Sequence, residues 1–380
     1  ASSEVKDISF ATKLDFFNRI EESYGHSALM LSGSGSLLYF HIGVVLELAE
    51  HNLVPKVISG SSGGAFIGSM LCTHTNDELE QVFSLDNFID EELIAEKQRI
   101  KAKEKKSIFS ALKFTGASTS DFENSLERLI PDMTFQEALN KTGRHLNVSV
   151  ASAEYNNTSR LLNAKTSPHV FLRESIRASA AAPGLFKPAT LSARNEHGEK
   201  QDYLPNQKWV DGSLNSDLPV KRLSRLYGAN HFIVSQTNPH VIPFVTDAKR
   251  KRDIMSVLKY ASFDTARTWV NATAAIWRRP MASSEGLTKA SHILLSIINQ
   301  NYKGDINIIP PSEYSNPIKQ LKWMSRADMQ ELIDAGRRAT WPKVEMIRLQ
   351  SKISRTLEKI MKEYYNEVLE QSGEANYKAS

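Results

Sequence analysis

The chain has 380 residues, 41% of them apolar and 24% charged, with 47 Lys+Arg against 43 Asp+Glu. At about 100–200 residues per domain, that length suits one large α/β domain with appendages or two to three smaller ones. The composition excludes a collagen-like, a disordered and a disulfide-stapled chain, and a net charge of +4 is too mild to imply nucleic acid as a partner.

Residues 1–25 read as a helical lead-in, with Phe10, Leu14, Phe17 and Ile20 at helical spacing. The first residues, Ala-Ser-Ser-Glu-Val-Lys-Asp, lack the apolar core of a signal peptide, and the chain starts without Met. Ala28–Leu31 predicts a short buried strand, followed by a glycine turn and a helix over about 36–51. Lys56–Ser59 predicts a second strand, and a helix follows over about 63–74. Strand–turn–helix repeated in this way is the pattern of a parallel α/β core. Ser27–Leu46 and Val57–Asn76 carry too little hydropathy for membrane spans: both are rich in Ser and Gly and interrupted by His, so they read as buried core.

Residues 77–140 read as helical. They contain the basic run Lys97, Arg99, Lys101, Lys103, Lys105 and Lys106; a second run is Lys249–Arg252. Such runs suit solvated helix faces first and an anionic membrane surface second. Leu146–Ala153 alternates as a strand does, with Ser159–Asn163 able to pair with it. Val170–Ala181 predicts a helix stopped by Pro183-Gly184. Residues 186–212 predict a strand pair with a polar tip at Arg194–Asp202. His231–Ser235 and Asp305–Ile309 predict further strands, separated by helical stretches over about 251–278 and 286–300. The tail over about 325–371 predicts helices, with an apolar stripe of Ile353, Leu357, Ile360, Met361, Tyr364, Val368 and Leu369 that suits packing onto the core.

Glycine is scarce, 18 in all, yet Gly33, Gly35, Gly43, Gly60, Gly63, Gly64 and Gly68 crowd into one short stretch. Backbone freedom is needed there. Gly60-Ser61-Ser62-Gly63-Gly64 is a G-x-S-x-G pentapeptide between a predicted strand and a predicted helix, the setting in which such a motif presents a nucleophile. Ser62 is the candidate. Leu31–Ser36 (LSGSGS) is a second strand-to-helix turn whose small residues leave N–H groups uncovered. A phosphate loop would need a Lys near the helix start, and none occurs between 32 and 55; a dinucleotide fingerprint would need Gly at position 38, which is Leu. An oxyanion hole needs only aimed N–H donors beside a nucleophile, and Ser62 nearby favours that reading.

The serine needs a base. His231, His240 and His292 follow Asp211 in the chain and keep a Ser–Asp–His triad open. Asp211, in Trp209–Ser213 (WVDGS), offers a carboxylate able to act on Ser62 directly. His197 and Asp202 form an H-x4-D spacing in a polar, turn-like stretch. With Cys72 the only cysteine and no HExxH in the chain, no metal site suggests itself.

These segments, taken in order, resemble the patatin-like phospholipases. Leu31–Val44 resembles that family's glycine-rich oxyanion segment, Val57–Ala65 its nucleophile elbow, Ser175–Pro188 its Ala/Ser-rich helix, and Trp209–Ser213 its Asp-Gly motif. Asp217–Phe244 is most similar to the triacylglycerol-lipase branch. The resemblance implies a three-layer α/β fold with a mostly parallel central sheet. Residues 26–315 would form the catalytic domain, with helical extensions over 1–25 and 316–380. It implies a Ser–Asp dyad of Ser62 and Asp211, an oxyanion hole at Gly33, Ser34, Gly35 and Ser36, and an elbow shaped by Gly60, Gly63 and Gly64, without cofactor or metal. The implied activity is hydrolysis of fatty-acyl esters of glycerolipids, triacylglycerol or phospholipid. Acyl transfer to a lysolipid and non-catalytic lipid binding are the alternatives. The implied setting is cytoplasmic, with peripheral contact to a membrane or lipid-droplet surface; oligomeric state stays open. Three positions depart from the family pattern: Ser34 replaces the middle of three glycines, and Leu37-Leu38 replace an Arg-Gly pair.

Overall fold

The computed structural model describes residues 8–88, 119–154, 159–182, 186–213, 217–238, 304–311, 314 and 324–371. Both basic runs, His240 and His292, Pro183-Gly184 and the helical stretches expected over 251–300 lie outside the described residues. Helix α1 (Phe10–Tyr24) opens on Ser9, whose hydroxyl accepts the Thr12 N–H. Strand β1 (His26–Leu31) leads through a single 3-10 turn at Gly35–Leu37 into α2 (Leu38–Glu50). Strand β2 (Val57–Gly60) leads through the serine pair into α3 (Gly63–Thr73). Within the stretch expected to be helical, the described residues form short turns, α4 (Leu79–Val82), α5 (Thr119–Leu129) and α6 (Phe135–Thr142). Helix α6 is delimited by a Thr134–Glu137 capping box and a left-handed Gly143.

Strands β3 (His145–Ser152) and β4 (Arg160–Asn163) precede α7 (Leu172–Ala180). The region expected as one strand pair divides in two. Strands β5 (Leu191–Arg194) and β6 (Lys200–Tyr203) form a separate polar hairpin, whereas β7 (Trp209–Asp211) joins the central sheet. Helix α8 (Val220–Tyr227), β8 (Ala229–Ser235), β9 (Ile306–Ile308), α9 (Arg326–Thr340), α10 (Val344–Gln350) and α11 (Lys352–Gln371) complete the described chain.

The central sheet runs β4-β3-β2-β1-β8-β9, with β7 also paired to β3. Neighbours from β3 through β9 are parallel; β4 and β7 run antiparallel to β3. Alternation along β1 splits the core. Leu29 and Leu31 face a large cluster with Phe40, Ile67 and Leu332, while Ala28 and Met30 face a smaller one with Leu223, Tyr227 and Phe232. Apolar clusters on both faces define three layers, helix–sheet–helix.

Two contacts tie in the termini. Phe10 and Phe17 of α1 pack on Tyr364 of α11 at ring-centroid distances of 5.3 and 5.6 Å. Helix α9 crosses α2 backbone to backbone: a Cβ on Gly43 would strike Ile333 O, and one on Gly336 would strike Phe40 O. Met329, Leu332 and Ile333 thereby join the core cluster of the sheet. Of the tail stripe, Leu357, Met361 and Tyr364 are buried while Ile353 is exposed. Among the described residues no helix is long and apolar enough to cross a membrane.

Candidate active site

Parallel strands carry their following loops to one edge of the sheet, and the turns after β1 and β2 lie side by side there. Ser62 occupies the turn between β2 and α3 with φ 50° and ψ −123°, a conformation that L-residues rarely adopt. The turn stays tight because Gly60 packs on Gly64, and a Cβ on Gly64 would strike the carbonyl oxygens of Leu31 and Ser32. Gly63 faces Ser34 just as closely, so elbow and glycine loop share one wall. The Ser62 N–H donates to Ser179 Oγ at 2.9 Å, and Ser179 Oγ donates in turn to Ser149 O on β3 at 2.8 Å.

The adjacent serines of the pentapeptide have different environments. Ser61 is fully buried, and its hydroxyl donates to Asp217. Ser62 is half-buried at the N-terminus of α3, where the helix dipole favours negative charge.

Asp211 ends β7, placed by pairing with Val150 of β3, two residues beyond the Gly60–Val148 pair of β2. Its Oδ1 accepts the Ser213 N–H at 2.8 Å. Burial pushes its carboxyl up from 3.8 to about 6; hydrogen bonds from Ser213 oppose this, the charge of Asp217 adds to it, and the nearby Ser62 side chain opposes it slightly. Ser62 and Asp211 are therefore brought together. Gly212 leaves no room for a side chain, because a Cβ there would strike Ser149 O.

The glycine loop departs from the expectation at its first residue. The Gly33 N–H is spent on Asp217 Oδ1 at 2.7 Å rather than left for a ligand. Gly35 follows at φ 51°, exposed, with open space where a Cβ would stand. Ser34 is buried and its hydroxyl has no partner; Ser36 is half-buried. Leu37 and Phe40 are buried in the core, and Leu38 and Tyr39 pack against it, so these apolar residues serve packing.

Among the described residues, His231, His41 and His197 lie elsewhere. His231, third in β8, pairs with Ser27 and bonds to Ser27 Oγ and Gln350 Oε1, at the far end of the parallel strands from Ser62. His41 is sealed under the glycine loop against Ser235 Oγ, Ser32 O and Thr237 Oγ1, and burial holds it neutral with a pKa of about 4. His197 and Asp202 are exposed on the β5–β6 hairpin. Among the described residues no group of three or more His, Cys, Asp or Glu could hold a metal ion.

Sequence reasoning missed Ser179 and Asp217. Ser179 lies within the Ala/Ser-rich helix already singled out, but nothing local marks it as the partner of the elbow. Asp217 meets residues 156 and 184 positions away, a proximity only the fold creates.

Fold and geometry together define a three-layer α/β protein with a serine elbow and a buried carboxylate beside it. The family model described as patatin-like phospholipase matches residues 29–224. Triacylglycerol lipase ptl3 of Schizosaccharomyces pombe is 33% identical over 91% of this chain and 71% of its own length. The chain belongs to the patatin-like phospholipase family. Triacylglycerol lipase SDP1L of Arabidopsis thaliana is 32% identical over 91% of the chain, and triacylglycerol lipase 4 of Saccharomyces cerevisiae 32% over 90%. The chain spans 43% and 39% of the length of those two relatives.

Proposed function

We propose that the chain is a serine acyl hydrolase that cleaves fatty-acyl esters of glycerolipids through Ser62 and Asp211. The observation that carries this reading is the strained, half-buried Ser62 close to the Asp211 carboxyl, which burial pushes up to about 6. A base with that pKa is ionised at neutral pH yet basic enough to accept a serine proton as attack proceeds.

In the first step Ser62 Oγ bonds to the ester carbonyl carbon and its proton passes to Asp211. The oxyanion is held by N–H groups of the loop after Gly33, at Ser34 and Gly35, and by the N-terminus of α3. Collapse breaks the ester C–O bond, Asp211 returns the proton to the leaving alkoxide, and the acyl group stays on Ser62. Water then attacks the acyl-enzyme, giving its proton to Asp211, and the fatty acid leaves as Ser62 recovers its hydrogen.

Neutral acylglycerol is the first substrate class and phospholipid the second. The names of the relatives support this order, as does the absence of a basic residue at Leu37 and Leu38 after the glycine loop. An insoluble substrate requires contact with a lipid surface, made peripherally.

The test is a fluorophosphonate probe on the folded chain, with hydrolysis of triacylglycerol and phospholipid measured for wild type, Ser62→Ala and Asp211→Asn. Labelling at Ser62 and loss of hydrolysis in both variants are expected; folded protein without Ser62 labelling would sink the reading. Products with and without a lysolipid acceptor separate hydrolysis from acyl transfer.

A further inference from the structure

Asp217 belongs to none of the motifs that define the site, yet three loops converge on it. Its Oδ1 accepts the Gly33 N–H at 2.7 Å and the Ser61 hydroxyl, and its Oδ2 accepts from Asn238 Nδ2 at 3.1 Å. Gly33 opens the loop after β1, Ser61 immediately precedes Ser62, and Asn238 follows β8. All four residues are buried, so water is no ready substitute for the carboxylate. Burial pushes the Asp217 carboxyl up, and the three donors, Ser61, Gly33 and Asn238, act against that by favouring its ionised form.

We propose that Asp217 is a positioning residue of the active site, fastening the glycine loop and the serine elbow to the end of β8 so that oxyanion donors and nucleophile keep one mutual geometry. This rests on the reading of Ser62 and Asp211 above. The clamp takes up the Gly33 N–H and so leaves oxyanion binding to the N–H groups beyond it. It also sets a negative charge close enough to raise the affinity of Asp211 for its proton; among the described residues, Asp217 is the charged group that acts on Asp211 in this way.

Asp217→Asn and Ser61→Ala in the full chain test the proposal, with kcat, KM and the pH profile read on a short-chain acyl ester and folding checked by thermal unfolding. Asp217→Asn is expected to lower kcat by about tenfold to a hundredfold, the scale of a small misplacement of reacting groups, with KM nearly unchanged. The acid limb of kcat/KM is expected to move to lower pH with thermal unfolding near that of wild type, because a charge that raises the Asp211 carboxyl is gone. Ser61→Ala removes one strut and keeps the charge, so kcat should fall while the limb stays in place. Unchanged kcat in either folded variant, or an unmoved acid limb in Asp217→Asn, would overturn the proposal. Should Asp217→Asn fail to fold, Ser61→Ala decides. Fluorophosphonate labelling of wild type separates the two readings. An unlabelled Ser62 removes both, whereas a labelled Ser62 with an indifferent Asp217→Asn removes this one alone.

Discussion

Replacing Asp211 with Asn should cut activity sharply and strengthen the fold at the same time. Burial moves the Asp211 carboxyl from 3.8 to about 6. At about 1.4 kcal/mol per pH unit, the folded chain gives up about 3 kcal/mol to keep that group ionised at neutral pH. The pKa is raised on folding, so between about pH 4 and 6 the folded state binds this proton and the unfolded state does not. The stability the proton contributes is complete below about pH 4 and is lost as pH rises through about 6. An asparagine never ionises, and its amide oxygen still accepts the Ser213 N–H. The variant should therefore match wild type near pH 4 and exceed it above pH 6, by up to about 3 kcal/mol in denaturant unfolding. Hydrolysis at neutral pH should fall by about a hundredfold to ten-thousandfold, the range for loss of a general base. Wild-type kcat/KM should itself decline below about pH 6, as Asp211 takes up its proton. A variant less stable than wild type at pH 7.5, or a stability difference that ignores pH, would refute the reasoning.

Ser62→Gly and Ser62→Ala should both be inactive, but the glycine variant should be the more stable by about 1–2 kcal/mol in denaturant unfolding, because only it relieves the positive φ. Gly64→Ala should cost more than about 2 kcal/mol, or prevent folding, since the added methyl meets the Leu31 and Ser32 carbonyl oxygens. Gly336→Ala should lower the unfolding free energy by about 1–3 kcal/mol by forcing α9 away from α2. His197→Ala, on the exposed hairpin, should leave both hydrolysis and any acyl transfer to a lysolipid unchanged when products are quantified.

The strand–turn–helix units at β1–α2 and β2–α3 were legible because short apolar strands run directly into glycine turns and apolar helices. Where local signal is thin, the reading slipped. Strand β7 has three residues, too few to show alternation, so it merged with the polar hairpin before it. Helix α8 was not expected, although its amphipathic Leu223 and Tyr227 and the left-handed Gly228 after it carry a legible end signal. Ser62 and Asp211 could be singled out as candidates because each lies in a compact motif. Which of Ser61 and Ser62 is accessible could not be read locally, since burial decides it. Ser179 and Asp217 were out of reach for a different reason. A single Ser or Asp has no signature until distant segments meet, and their partners lie 117 and 156–184 positions away.

Strand β3 provides a common ruler for Ser62 and Asp211, the two proposed reacting groups. Ser62 is referenced to Ser149 O through Ser179, Gly212 lies flat against that same oxygen, and Asp211 pairs with the next residue, Val150. Ser62 and Asp211 come from segments about 150 positions apart, yet both are gauged from adjacent residues of one strand. Breathing of the sheet or bending of a peripheral helix would then carry the pair along together rather than apart. The spacing between Ser62 and Asp211 is in this sense a local property of β3, insulated from how the rest of the chain is extended, decorated or docked against a lipid surface.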